Sequence, residues 1–175
     1  MSLLPKEALD YIGIQTKFEF ACDVVEKGAV RRYAQGIMDA DPIYDLPCEE
    51  NNLYGGPVSP LIFPTHMFRT AFGGQDPIQR NAFNSDADGS EGVSTIQGLP
   101  DIAPLKHLSV MNGGSTFEFY RYAKHGEKIK VQSRYADIYE KKAKEGYIII
   151  VVTISDYFTD EEELLLSVRR TQIRR

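Results

Sequence analysis

The chain has 175 residues, 42% of them hydrophobic, and carries a formal net charge of −5 at pH 7. That length and apolar content suit one domain with a real core, and the acidic balance excludes a nucleic-acid partner, which would ask for a basic face. No apolar run approaches the ~18 residues of a membrane span, the N-terminus lacks the basic-then-apolar pattern of a signal peptide, and the two cysteines, Cys22 and Cys48, make neither a disulfide framework nor a zinc set. The expectation is a cytoplasmic protein with no metal and no cofactor of its own.

Lys17-Phe-Glu-Phe-Ala-Cys22 reads as a short strand, apolar and polar residues roughly alternating. Asp23-Val-Val-Glu26 fits a capping box that opens a helix. Val30, Tyr33, Ala34 and Ile37 then recur at the spacing of one apolar helix face. The helix ends near Met38, because Asp39-Ala-Asp-Pro42 is turn chemistry. Ile43 to Pro60 is irregular, with Gly55-Gly-Pro57 and Pro60 as breakers, and Glu49 to Tyr54 is read as a short helix.

Leu61-Ile-Phe-Pro-Thr-His-Met-Phe68 is apolar nearly all round, the pattern of a helix buried on every side. Pro64 falls in its first turn, where a missing N–H costs little. Phe72 to Pro104 is rich in Gly, Asp, Ser and Asn and has little periodicity, a length usually reserved for functional or disordered loops. Within it, Asp86-Ala-Asp-Gly-Ser-Glu91 is not a calcium loop: its Gly is off position and Gln97 stands where a closing Glu is needed.

From His107 the pattern turns to strands. Ser115 to Tyr122, Lys128 to Tyr139, Gly146 to Phe158 and Leu164 to Arg174 are four long β-runs. His125-Gly-Glu127, Lys142 to Gly146 and Thr159 to Glu162 are the turns between them, and Asn112-Gly-Gly114 precedes the first run or bulges within it. In the second run Ile129, Val131, Ser133 and Tyr135 alternate with Lys128, Lys130, Gln132 and Arg134, one face buried and one wet. The order strand, helix, irregular arm, buried helix, long loop and four-strand meander spells an α+β fold with an antiparallel sheet. It forms a single domain over residues 1–175, with a loop insertion at about 73–106.

Three segments, quoted as they stand, carry a family resemblance. Tyr33-Ala-Gln-Gly-Ile-Met-Asp-Ala-Asp-Pro-Ile-Tyr44 resembles the Gly-Asp-x-Asn-Pro-x-His signature of the MaoC-like (R)-specific enoyl-thioester hydratases. Tyr54-Gly-Gly-Pro-Val-Ser-Pro-Leu-Ile-Phe63 is similar to the Gly-Gly-x-x-Ala-Pro-Pro-x-Phe segment of the N-terminal, FAS1-like dehydratase domains. Asn112-Gly-Gly-Ser-Thr-Phe-Glu-Phe-Tyr-Arg121, followed by His125-Gly-Glu127, resembles that family's His-Gly-Gly-x-x-Phe-Glu-Phe strand and Gly-Asp turn. The closing Arg169-Arg-Thr-Gln-Ile-Arg174 is similar to its last strand, and the resemblance spans roughly residues 10–72 and 107–175.

The resemblance implies a hot-dog fold, an antiparallel sheet wrapped around one buried helix. It also implies reversible hydration of a trans-2-enoyl thioester, carried on coenzyme A or acyl carrier protein. In such a site a D-x4-H pair holds the water, and a backbone N–H at the start of the buried helix receives the charge that develops on the thioester oxygen. Here Asp39 falls at the Asp and Asp41 at the Asn, while Tyr44 falls at the His. A phenol with a pKa near ~10 is no base at neutral pH. Pro60 falls where a Gly offers its N–H, and proline has none, although Leu61 retains one.

The implied candidates are therefore Asp39 and Tyr44 at the catalytic positions, and Pro60, Leu61, Phe63, His66, Asn112 and Gly113 along the substrate. Each also has a plain structural role: turn capping for Asp39 and Asp41, packing for Tyr44, a core or interface position for His66, a bulge for Asn112, and solvent for His125. The implied partners are an acyl-CoA or acyl-ACP substrate and a second hot-dog chain, as a homo- or heterodimer. The leading expectation is a degenerate hydratase subunit that shapes the acyl tunnel of a catalytic partner. The alternative is a self-sufficient homodimer that binds or hydrolyses acyl thioesters. Leu61 to Thr70 contains no Asp or Glu, which counts against hydrolysis. A third reading keeps an active hydratase that uses Asp39 with Tyr44, His66 or His107.

Overall fold

The computed structural model describes residues 3–45, 52–68, 98–144 and 146–175. Cys48, the Asp86–Glu91 segment, most of the expected loop and the start of the expected Glu49–Tyr54 helix lie outside the described residues. The described elements are β1 (Glu19–Phe20), α1 (Lys27–Gly36), β2 (Val110–Phe119), β3 (Ile129–Ala143), β4 (Gly146–Thr159) and β5 (Leu164–Arg174), with short 3₁₀ turns between them. No described helix is long and apolar enough to cross a membrane.

The five strands form one antiparallel sheet in the order β1-β3-β4-β5-β2. The four long runs are not a simple meander. Only β3, β4 and β5 follow one another, whereas β2 crosses to the far edge and pairs β5. Residues 120–128 carry that crossing, pinned where Tyr120 N–H donates to Leu165 O at 2.9 Å and Ser59 N–H to Ala123 O at 2.8 Å.

One face of the sheet is packed. Val30 and Ala34 of α1 join Ile43, Tyr44, Val58 and Phe63 against Val131, Tyr157, Leu166 and Val168. A second cluster sets Ala8, Leu99, Ile102 and Leu105 on Tyr135, Ile138, Ile149 and Val151. Residues 98–106, expected within the loop insertion, thus contribute core: Leu99 and Ile102 are 3% exposed and Leu105 is 0%. A 3₁₀ turn over Lys6–Tyr11, which no pattern in the sequence announced, buries Ala8 beneath the same cluster.

Several expectations are corrected. The N-terminal strand is two residues long. The helix starts at Lys27, with Glu26 in the N-cap position and no side-chain cap. The capping box does not form because Val25 is already paired: its N–H donates to Glu127 O at 2.9 Å, and its carbonyl accepts from Gly126 N–H at 2.9 Å. Between Leu61 and Phe68 the backbone makes a 3₁₀ turn, Phe63–His66, rather than an α-helix with His66 at its core. Phe63 and Pro64 are buried there and His66 is exposed. Lys130, expected on the wet face, is 5% exposed. Its ammonium lies 4.7 Å from the Phe18 ring centroid and donates to Asp160 O at 3.3 Å, a cation–π contact that compensates lost hydration.

Candidate active site

The turn after α1 builds the site. Met38 adopts φ 58, in the left-handed region. Asp39 N–H reaches back to Ala34 O at 2.9 Å and Met38 N–H to Gln35 O at 3.2 Å. This is a Schellman ending, which normally takes glycine at the residue with positive φ. Two aspartates then cap the next turn. Asp39 Oδ1 accepts from Asp41 N–H at 3.2 Å, and Asp41 Oδ1 accepts from Ile43 N–H at 3.1 Å. Pro42 opens the 3₁₀ turn that delivers Tyr44.

The same turn brings the two catalytic candidates together. The Tyr44 hydroxyl donates to Asp39 Oδ2 at 2.9 Å. Tyr44 is buried in the first core cluster, and Asp39 is half-buried. Burial raises the phenol's pKa above its ordinary value of 10.0. The bond to Asp39 and the charges of Asp39 and Asp41 raise it further. The phenol is therefore locked in its neutral, donating form.

Beside the pair stands a layer of aromatic side chains. The phenol of Tyr122 feels Tyr44, Asp39 and Asp41, and its pKa is raised, chiefly by burial. The Tyr122 ring packs on Tyr54 at 4.9 Å between centroids. Both line a cleft of about 430 Å³ together with Leu61, Phe119, Arg121 and Lys124. Arg121 is not open to a ligand. Its guanidinium holds Glu127 at 2.7 Å and Glu163 at 2.5 Å, and it donates to Tyr122 O at 2.6 Å. Those charge-assisted bonds fix the backbone that presents Tyr122. Sequence reading passed over Tyr54, Tyr122 and the Arg121 clamp. The only signal was Glu127 in the turn position that the resemblance gives to an Asp.

The other candidates are dispersed. Pro60 is buried, and its carbonyl accepts from Phe63 N–H at 2.8 Å. Leu61 is half-buried on the cleft wall. Phe63 packs edge-on against Tyr33 at 5.4 Å, and the His66 ring lies 4.8 Å from that of Tyr33. Asn112 and Gly113 lie in β2 at a bulge, where the register shifts between Asn112 and Ser115. Asn112 Oδ1 accepts from Gly114 N–H at 2.8 Å, so its amide serves the bulge. A side chain at Gly113 would meet Thr171 O at 3.0 Å, the close backbone approach that glycine permits. His107 is exposed. His125, expected in solvent, is half-buried, and burial lowers its pKa. Among the described residues no three His, Cys, Asp or Glu side chains group as metal ligands.

Residues 12–167 match the family model described as FAS1-like, dehydratase domain region. No curated protein matches the sequence. Among solved structures, the ChsH1-ChsH2 complex from Mycobacterium tuberculosis superposes with a TM-score of 0.67 at 16% identity, covering 91% of this chain and 83% of that one. The MaoC-like dehydratase from Rhodospirillum rubrum gives 0.56 at 18% identity, covering 94% and 93%. The truncated HadBC complex, a 3R-hydroxyacyl-ACP dehydratase from Mycobacterium tuberculosis, gives 0.52 at 18% identity, covering 93% and 98%. At such identities the likeness is one of fold, the hot-dog sheet.

Proposed function

Because the chain belongs to the FAS1-like dehydratase-domain family, we propose that it is a subunit of an (R)-specific enoyl-thioester hydratase, degenerate at its own site and shaping the acyl tunnel of a catalytic hot-dog partner. The observation that carries this reading is the Tyr44–Asp39 bond of 2.9 Å. Hydration adds the oxygen of water to C3 of the enoyl thioester and a proton to C2. The group that takes the water's proton must accept it near neutral pH and be able to return it. Tyr44 stands where that base belongs and is held protonated, so it donates and does not accept. Asp39 spends one oxygen on Tyr44 and the other on the Asp41 N–H.

What remains is a wall and an edge. In this reading Asp39 and Tyr44 close the tunnel mouth, and Pro60, Leu61 and Phe63 form its side. Tyr54, Tyr122 and Phe119 extend that wall into the cleft. His66 sits at the rim. Asn112 and Gly113 belong to β2, an edge strand whose described ladder runs only to β5. The open side of such an edge is a template for another chain's strand. That the ChsH1-ChsH2 and HadBC structures are two-subunit complexes supports a partner of the same fold.

The test is hydration of crotonyl-CoA by the purified chain, alone and mixed with a hot-dog protein encoded beside it that carries D-x4-H. Hydration only in the mixture, faster than by the partner alone, is expected. Efficient hydration by this chain alone overturns the degenerate reading. A partner equally active with and without this chain overturns the subunit reading.

A further inference from the structure

The cleft beside the Asp39–Tyr44 turn carries a charge that an acyl tunnel does not use. Two cationic side chains line it, Arg121 and Lys124. Arg121 is consumed by Glu127 and Glu163. Lys124 is exposed, and its ammonium makes no ion pair and no hydrogen bond with any described residue. The carboxylate nearest to it in sequence is already committed. Glu127 Oε1 accepts from Arg121 at 2.7 Å, and Glu127 Oε2 accepts from the Lys124 backbone N–H at 2.8 Å.

Backbone bonds fix where that charge stands. Lys124 and Val58 form an antiparallel bridge, His125 N–H donates to Pro57 O at 3.2 Å, and Ser59 N–H donates to Ala123 O at 2.8 Å. These bonds set residues 122–125 against the Tyr54-Gly-Gly-Pro57 segment. Gly55, at φ 74, lies beside the ammonium: a Cβ there would stand 3.4 Å from Lys124 Nζ. The cation thus rests against bare backbone on the cleft lining, with no side chain from that residue over it.

Aromatic rings supply most of the remaining lining. Tyr54 and Tyr122 pack on each other at 4.9 Å, while Phe119 and Tyr120 are 42% and 56% exposed. An aliphatic chain gains by leaving water, which so open a surface does not provide. A planar heteroaromatic ring gains by stacking on such faces while its polar edge stays wet. A lysine ammonium is a point charge suited to a phosphate. The cleft's volume of about 430 Å³ falls in the roughly 300–1,000 Å³ range of small-molecule sites, whereas a carrier protein docks over roughly 800 Å² on each partner. We infer that this cleft seats the nucleotide of coenzyme A, its adenine against the tyrosine and phenylalanine rings and a phosphate on Lys124. The acyl carrier is then coenzyme A and not a carrier protein.

This inference rests on the acyl-thioester reading above, and the experiment separates the two. Butyryl-CoA, S-butyryl pantetheine, butyryl-acyl carrier protein and adenosine 3′,5′-bisphosphate are titrated calorimetrically into the full chain. Butyryl-CoA is expected to bind about tenfold or more tighter than S-butyryl pantetheine, with the bisphosphate competing against it. Lys124→Gln and Tyr120→Ala, both at exposed positions, should each narrow that gap by about threefold or more and leave S-butyryl pantetheine unchanged. A gap that Lys124→Gln leaves intact overturns the cleft as the nucleotide's seat. Equal binding of butyryl-CoA and S-butyryl pantetheine, or tighter binding of the carrier-protein thioester, overturns the nucleotide site and leaves the acyl reading standing. A bisphosphate that binds as tightly as butyryl-CoA, in a Lys124-dependent way, supports the site and overturns the acyl reading. Failure of every ligand overturns both.

Discussion

Tyr44→Phe removes one atom from the site and tests its central bond. The ring stays, so packing in the first core cluster is retained. The loss is the hydrogen bond of 2.9 Å to Asp39 Oδ2. Bonds to charged groups contribute roughly 1.5–3 kcal/mol when buried. Asp39 is half-buried, and water can replace part of the bond, so about 1–1.5 kcal/mol is expected. For a chain of this length each kcal/mol moves the melting temperature by roughly 2–4 °C, so thermal denaturation at neutral pH should show a fall of about 3–5 °C. Asp39→Ala costs more, because it also releases the Asp41 N–H. The double variant isolates the pair, with an expected coupling near 1 kcal/mol. A coupling indistinguishable from zero would mean that Tyr44 and Asp39 are neighbours without a bond, and the case for a locked phenol would fall with it.

Three further outcomes follow from the same geometry. Met38 holds φ 58 and is 91% exposed, so Met38→Gly relieves left-handed strain without losing packing. After the entropy lost to glycine it should stabilise by roughly 0.5–1 kcal/mol in urea denaturation. Gly113→Ala places a methyl group 2.9 Å from Thr171 Cγ2 and 3.0 Å from Thr171 O; it should destabilise by about 1–3 kcal/mol in the same assay, and a neutral result would mean that the bulge yields freely. Burial pushes the Tyr135 phenol up to about 12 from its ordinary 10.0. The folded chain therefore keeps a proton that the unfolded chain releases near 10, and the stability present below that pH is lost as pH rises from about 10 to about 12. Melting temperatures across that window should fall, and Tyr135→Phe should make the slope shallower.

Much of the architecture was legible along the chain because it is set by neighbours in sequence. The four long β-runs were legible between their turn residues, the second of them also by period-two alternation. The boundaries from Gly146 and Leu164 onward agree with the sheet to within a residue, since the turn residues that end those strands are themselves local signals. The Asp39-to-Tyr44 turn was legible for the same reason: capping aspartates and a proline act within a few residues. The bulge at Asn112-Gly-Gly114 was readable as an alternative from its glycines alone. The Tyr at the position of the family's His was visible directly, and it carries the functional reading.

What sequence alone left open was decided by contacts far apart in the chain. β2 lies beside β5 because the crossing at residues 120–128 is tied to Leu165 and to Ser59, partners distant in sequence. α1 starts late because the turn at Gly126 claims the backbone of Val25. Lys130 is buried with its charge beside the Phe18 ring, from the segment before β1, and the Glu162 carboxylate. Ser133, Thr153, Ser155 and Arg174 are buried because other elements close over that part of the sheet, which no local pattern in the chain announces. Sequence by itself determined the strands and the helix-ending turn, since propensity and capping act locally. Only the tertiary structure decided which charges are buried, because desolvation depends on every element that closes over a group.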